Sequence, residues 1–208
     1  MPQVSAWKGG FSRRGTVLRP QREPVRNNGQ TYFVTAQTWQ RRPLFLARPW
    51  ASLFIETLLH YRPSAYLLHE FVLMPEHFHL LISPVGTLEK SIQFIKGGFS
   101  FRAKRELGSN MEVWQKSFTD HRIRDDADYE KHVQYVYSNP VKRRLCNAAI
   151  EFPYCSAFPG LVKDPGPQRL KALERQAAVG APEGAPLQRF ERRALKEAPC
   201  KEVESRPG

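Results

Sequence analysis

The chain has 208 residues, 41% of them apolar, and carries 32 Lys and Arg against 20 Asp and Glu, a formal net charge of +12. That length holds one domain with an apolar core plus tails and leaves little for a second substantial domain. The charge surplus favours a polyanionic partner, nucleic acid first, through phosphate neutralisation and counterion release, with solubilising surface charge as the plainer reading.

Cys146, Cys155 and Cys200 are odd in number and fit neither a disulfide framework nor a zinc knuckle, which points to a reducing cytoplasm. The opening "MPQVSAWKGGFSRRGTVLRP" lacks the apolar core of a signal peptide, and no later run approaches a membrane span. A soluble, cytoplasmic protein without a membrane partner is expected.

Residues 1 to 28 mix Gly, Pro and Arg without periodicity and read as a basic flexible arm. "QTYFVTAQTWQ" (30 to 40) follows the turn-like "NNG" and is rich in β-branched and aromatic residues, so it predicts a strand. "RPWASLFIETLLHYR" (48 to 62) places Trp50, Phe54, Leu58 and Tyr61 on a helical repeat, with Pro49 suited to an early helix position. "AYLLHEFVLM" and "HFHLLIS" then read as two strands of an antiparallel hairpin turning around Met74, Pro75 and Glu76, because Pro75 has no N–H to give a ladder.

Thr87 suits the N-cap of a basic amphipathic helix, "LEKSIQFIKGGFSFRAKREL", in which Gly97 and Gly98 mark a kink or a close approach by another backbone. "VWQKSFTDHRIR" (113 to 124) predicts an extended segment; its Trp114 and Phe118 suit core packing better than base stacking. The last helix starts near Asp125 and Asp126 and is expected to stop near Asn139, since Pro140 disfavours helical geometry before it. From 160 to 208 the composition is that of a low-complexity, disordered tail, with short helical pieces around "QRLKALERQA" and "LQRFERRALKE". The order β, α, β, β, α, β, α implies an α+β domain over 29 to 159, an antiparallel sheet covered by helices.

On a strand, His77 and His79 point to one side and Phe78 to the other. Two same-side imidazoles are able to share a divalent ion; they are equally two polar residues on a solvated sheet face. In "DYEKHVQYVYSNPVKRRL", Tyr129, Val133, Val136 and Tyr137 fall on one helical stripe, while Tyr135 lies on the flank with Lys131, Asn139 and Lys142. A phenol beside a metal and lysines suits nucleophilic attack on a phosphodiester, and an interfacial tyrosine with an ordinary hydrogen bond suits the same pattern. Roughly 200° separates two positions on a helix, so Tyr135 and Tyr137 do not both face one site.

"MPEHFHLL", "WQKSFTDHRIRDDADYEKHVQYVYSNPVKRRL", "FPYCSA" and the upstream "GQTYFVTAQTWQRRPLF" together resemble the REP-associated tyrosine transposases, relatives of small insertion-sequence transposases acting on single-stranded DNA. The resemblance covers residues 27 to 158. It implies the ferredoxin- or RRM-like HUH fold, with His77 and His79 binding Mg²⁺ or Mn²⁺, Asn139 completing the metal site, and Tyr135 as the nucleophile that forms a 5′-phosphotyrosine link and releases a 3′ hydroxyl. The implied partner is a hairpin-forming single strand of the repetitive extragenic palindrome kind, bound by a monomer or homodimer that is nucleoid-associated when on DNA. Lys90, Lys96, Arg102 and Lys104 of the basic helix, Lys131 and Lys142 of the last helix, and Arg13 and Arg14 of the arm are candidates for DNA contacts. The chain departs from the family pattern in its long tail and in Cys155, where a serine is common. A domesticated hairpin binder that no longer cleaves, or a nuclease directed at RNA, are the competing readings.

Overall fold

Strand β1 (Tyr32–Gln37) alternates buried and half-buried residues, the period-2 signature its β-branched and aromatic composition predicts. The computed structural model that contains it describes residues 29–167, so the arm with Arg13 and Arg14 and both helical pieces expected after 167 lie outside the described residues. Helix α1 (Arg48–His60) carries Pro49 in its first turn, where a missing N–H leaves no helical bond unmade. Strands β2 (Tyr66–Met74) and β3 (His77–Pro84) pair antiparallel with Met74 opposite His77, so the turn at Pro75 and Glu76 falls where proline predicted it. Helix α2 (Leu88–Glu106) is capped by the Thr87 hydroxyl, which accepts from the Lys90 amide at 3.2 Å. Strand β4 (Thr119–Arg122) precedes α3 (Asp126–Lys142), whose Asp125 cap accepts from the Asp128 amide at 2.8 Å.

The four strands form one antiparallel sheet in the order β2-β3-β1-β4. Helices α1 and α2 cover one face, where Phe54, Phe78, Leu80, Ile95, Phe99 and Trp114 make the main core. Trp114 also donates its indole N–H to the Lys96 carbonyl at 3.0 Å, and Phe118 packs on the same core, so both are structural. Helix α3 lies across the other face, with Val136 on Val72 and Met74, and Tyr129 and Val133 on Leu81. This two-sided burial makes β3 apolar or buried throughout, and it splits His77 and His79 from Phe78 by face.

Three expectations are revised. Helix α3 runs past Asn139 to Lys142 with Pro140 inside it. Proline deletes one backbone donor there, while the Arg143 amide still reaches the Asn139 carbonyl at 3.1 Å and Leu145 the Pro140 carbonyl at 2.9 Å, and Pro140 itself is buried. The glycines of α2 do not break it: a Cβ on Gly97 meets nothing within 4 Å, whereas one on Gly98 falls 2.5 Å from the Tyr61 ring, so the close approach is by a side chain rather than a backbone. Packed chain also continues beyond 159. The Asp164 amide donates to the Leu68 carbonyl at 2.7 Å and its carboxylate accepts from the Leu68 amide at 2.8 Å, which covers part of the outer edge of β2.

Candidate active site

The β3 register sets His77 opposite Gln37 and His79 opposite Thr35, on the sheet face that α3 covers. The two Nε2 atoms lie 3.1 Å apart, both rings being almost fully buried. The outer nitrogens each face a side-chain oxygen. Thr35 Oγ1 lies 2.7 Å from His79 Nδ1, and Glu76 Oε1 lies 3.3 Å from His77 Nδ1 while Arg143 Nη2 lies 3.3 Å from the same carboxylate oxygen. Neither Thr35 nor Glu76 was singled out by the sequence; the glutamate's only signal was its place directly before the first histidine.

Burial keeps both rings neutral, the form that ligates a metal. It draws His79 down to about 3, with the neighbouring His77 adding to the fall, and it lowers His77 although Glu76 pulls the other way. Two metal–nitrogen bonds of about 2.1 Å meeting near a right angle span about 3.0 Å, so the observed separation suits one shared ion. Without an ion, the Nε2 contact needs a proton on one of the two nitrogens; carried by His79, it leaves His79 Nδ1 to accept from Thr35 and His77 Nδ1–H to face Glu76, so the pair is satisfied metal-free as well. With an ion on both Nε2 atoms, each Nδ1 carries its proton toward Thr35 or Glu76, the usual outer partnership of a metal-bound histidine.

Tyr135 stands over this pair. Its ring meets His79 edge-on at 5.1 Å and Phe33 at 5.7 Å between centroids, and the residue is 45% exposed, so its hydroxyl is open to solvent. Tyr137 turns to the other flank and donates to Glu70 Oε2 at 2.9 Å, in a cluster with Ser156 and Lys163. Asn139, one turn beyond Tyr135 on the same helix, is 8% exposed, and its carboxamide oxygen is of the kind that a divalent ion takes.

The candidate DNA-contact residues divide. Lys131 and Lys142 are exposed on α3, the helix that carries Tyr135. Helix α2 lies behind the sheet, so Lys90 and Lys104, though exposed, are on the side away from His79. Lys96 is spent inside the fold, donating to the Gln115 carbonyl at 2.6 Å with its ammonium pushed down by burial, and Arg102 is held by Glu56 and Glu106. Periodicity reported their helix correctly and could not report these partners. A second group was not anticipated at all: His121 of β4 with Asp128 and His132 of α3 brings three metal-ligating atoms within 4.8 Å of one another.

No protein-family model matches the chain. It is 29% identical over 129 residues to the REP-associated tyrosine transposase of Escherichia coli, across 61% of this chain and 75% of that protein. A Haemophilus influenzae protein provisionally given the same name is 28% identical over 143 residues, 62% of this chain and 80% of that one. A solved structure of a REP-associated tyrosine transposase bound to a REP hairpin superposes with a TM-score of 0.52 over 84% of this chain and 97% of that one; at 23% identity it establishes a common fold. The chain is thus homologous to REP-associated tyrosine transposases, as its motifs implied, and the α+β fold is theirs.

Proposed function

We propose that this relative of the REP-associated tyrosine transposases is a metal-dependent single-stranded DNA endonuclease and strand transferase acting on hairpin DNA, with Tyr135 as nucleophile. The observation that carries the reading is the edge-on contact of Tyr135 with His79 at 5.1 Å, which brings an open phenol to the histidine pair from a different element. His77, His79 and Asn139 would hold the divalent ion. Two imidazoles and an amide oxygen suit Mn²⁺ better than Mg²⁺, which favours all-oxygen sites. The chemistry such an ion would supply is Lewis-acid polarisation of the scissile phosphate and partial neutralisation of its oxygens.

The chain's own groups supply the rest. Tyr135 Oη gives up its proton to solvent or a bound base and attacks phosphorus; the bond from phosphorus to the 3′ oxygen breaks, and that oxygen leaves as a 3′ hydroxyl after taking a proton. The product is a 5′-phosphotyrosine, and attack on it by another 3′ hydroxyl restores the phenol and joins the strand. Phe33 and His79 hold the ring in place, and the exposed Lys131 and Lys142 of the same helix would meet backbone phosphates.

The test is incubation with hairpin oligonucleotides and Mn²⁺, followed by denaturing electrophoresis for a covalent protein–DNA adduct. Tyr135→Phe should abolish the adduct and keep hairpin binding. An adduct of equal yield from Tyr135→Phe sinks the nucleophile assignment, and binding that survives EDTA with no cleavage of any cognate hairpin favours a domesticated binder instead.

A further inference from the structure

We propose that His121, Asp128 and His132 form a second divalent-cation site, separate from His77 and His79, which takes a borderline metal of the zinc class and ties β4 to the first turns of α3. Asp128 and His132 are four residues apart and share a helix face, and His121 comes to them from the neighbouring strand. Asp128 Oδ2 lies 2.7 Å from His121 Nε2, and Asp128 Oδ1 lies 3.3 Å from His132 Nδ1. The two rings stack with centroids 4.9 Å apart, and the three ligating atoms lie within 4.8 Å of one another, close enough to converge on one ion after small side-chain adjustments.

The donor set, two imidazoles and one carboxylate, is that of a zinc centre with an open fourth position. His121 is 40% exposed along its side chain, which leaves that ligand open to solvent and to an entering ion. Without metal the His121 ring pairs with the Asp128 carboxylate, His132 Nδ1 lies 2.7 Å from the Asp128 backbone carbonyl, and the Arg124 amide donates to Oδ2 at 3.2 Å. A cation would displace the ring protons and leave the Arg124 bond in place. Phe33 connects the two sites, contacting His132 at 4.6 Å and His79 at 5.3 Å, so an ion here would steady the helix that presents Tyr135.

Metal stoichiometry of the full chain, titrated with Zn²⁺ and with Co²⁺ followed by its visible absorption, decides the matter. Two equivalents are expected. His121→Gln, a change at a part-exposed side chain, should remove one of them or weaken it at least about tenfold, and Asp128→Asn should do the same with the far-ultraviolet circular dichroism unchanged. The His77→Ala/His79→Ala variant should keep the equivalent that His121→Gln loses. One equivalent that disappears only with His77 and His79 overturns this inference and leaves the catalytic metal intact. One equivalent that disappears only with His121→Gln upholds it and removes the metal from the proposed reaction. No bound metal at all overturns both.

Discussion

Thr35→Val is the sharpest probe of the histidine pair, because it alters no ligand. The Thr35 hydroxyl stands 2.7 Å from His79 Nδ1 and turns the other nitrogen, Nε2, toward His77. Valine keeps the branched shape of threonine and removes the oxygen, leaving Nδ1 of a ring only 5% exposed without its partner. Losing one such outer contact weakens metal binding about 10- to 100-fold, or about 1.4–2.7 kcal/mol at 1.36 kcal/mol per decade. Calorimetric titration of Mn²⁺ into the variant should show that loss, and the Mn²⁺ needed for half-maximal adduct should rise by the same factor. Thr119→Val is the control: Thr119 pairs with Thr35 across β1 and β4 and is exposed. If Thr35→Val binds Mn²⁺ within twofold of the unaltered protein, the hydroxyl does not orient His79, and the case that the outer contacts of the pair prepare it for a metal fails with it.

Adjacent glycines should respond oppositely to the same change. Gly97→Ala gains up to about 1 kcal/mol of helix propensity, whereas Gly98→Ala sets a Cβ 2.5 Å from the Tyr61 ring and loses about 1–3 kcal/mol to overpacking. Urea unfolding should rank Gly97→Ala above Gly98→Ala, and equal stabilisation by both would contradict the packing of α1 on α2. Burial lowers His69, His77 and His79 below 6.5, so the unfolded chain binds more protons than the folded one as pH falls through that value. Stability of the metal-free protein should therefore decline from pH 6.5 downward. With its folded value at about 3, His79 alone accounts for about 2 kcal/mol at pH 5, and urea midpoints that coincide at pH 7 and pH 5 would refute the burial argument.

Much of this molecule is legible in one dimension. Period-2 alternation in "YFVTAQ", the Pro75 turn, the Thr87 cap, the start of the last helix near Asp125 and the helical stripe at Tyr129, Val133 and Val136 are local, and each recurs in the structure where sequence placed it. The 200° between Tyr135 and Tyr137 is local too, and the Glu70 bond of Tyr137 obeys it. The extent of α3 was misjudged because the propensity of a residue before proline is weak against the packing of a buried Pro140.

By itself the sequence determined which side chains share a strand face or a helix flank, since those relations follow from backbone periods of 2.0 and 3.6 residues. It also carried the spaced motifs by which homology is recognised. Only the tertiary structure decided which faces meet: that α3 and not the basic α2 lies over His79, that Thr35 and Glu76 stand behind the two imidazoles, and that His121 crosses from β4 to Asp128. Those contacts join residues distant in the chain through strand register and layer order. Register and layering come from burying both sheet faces at once, and no local pattern encodes which helix takes which face.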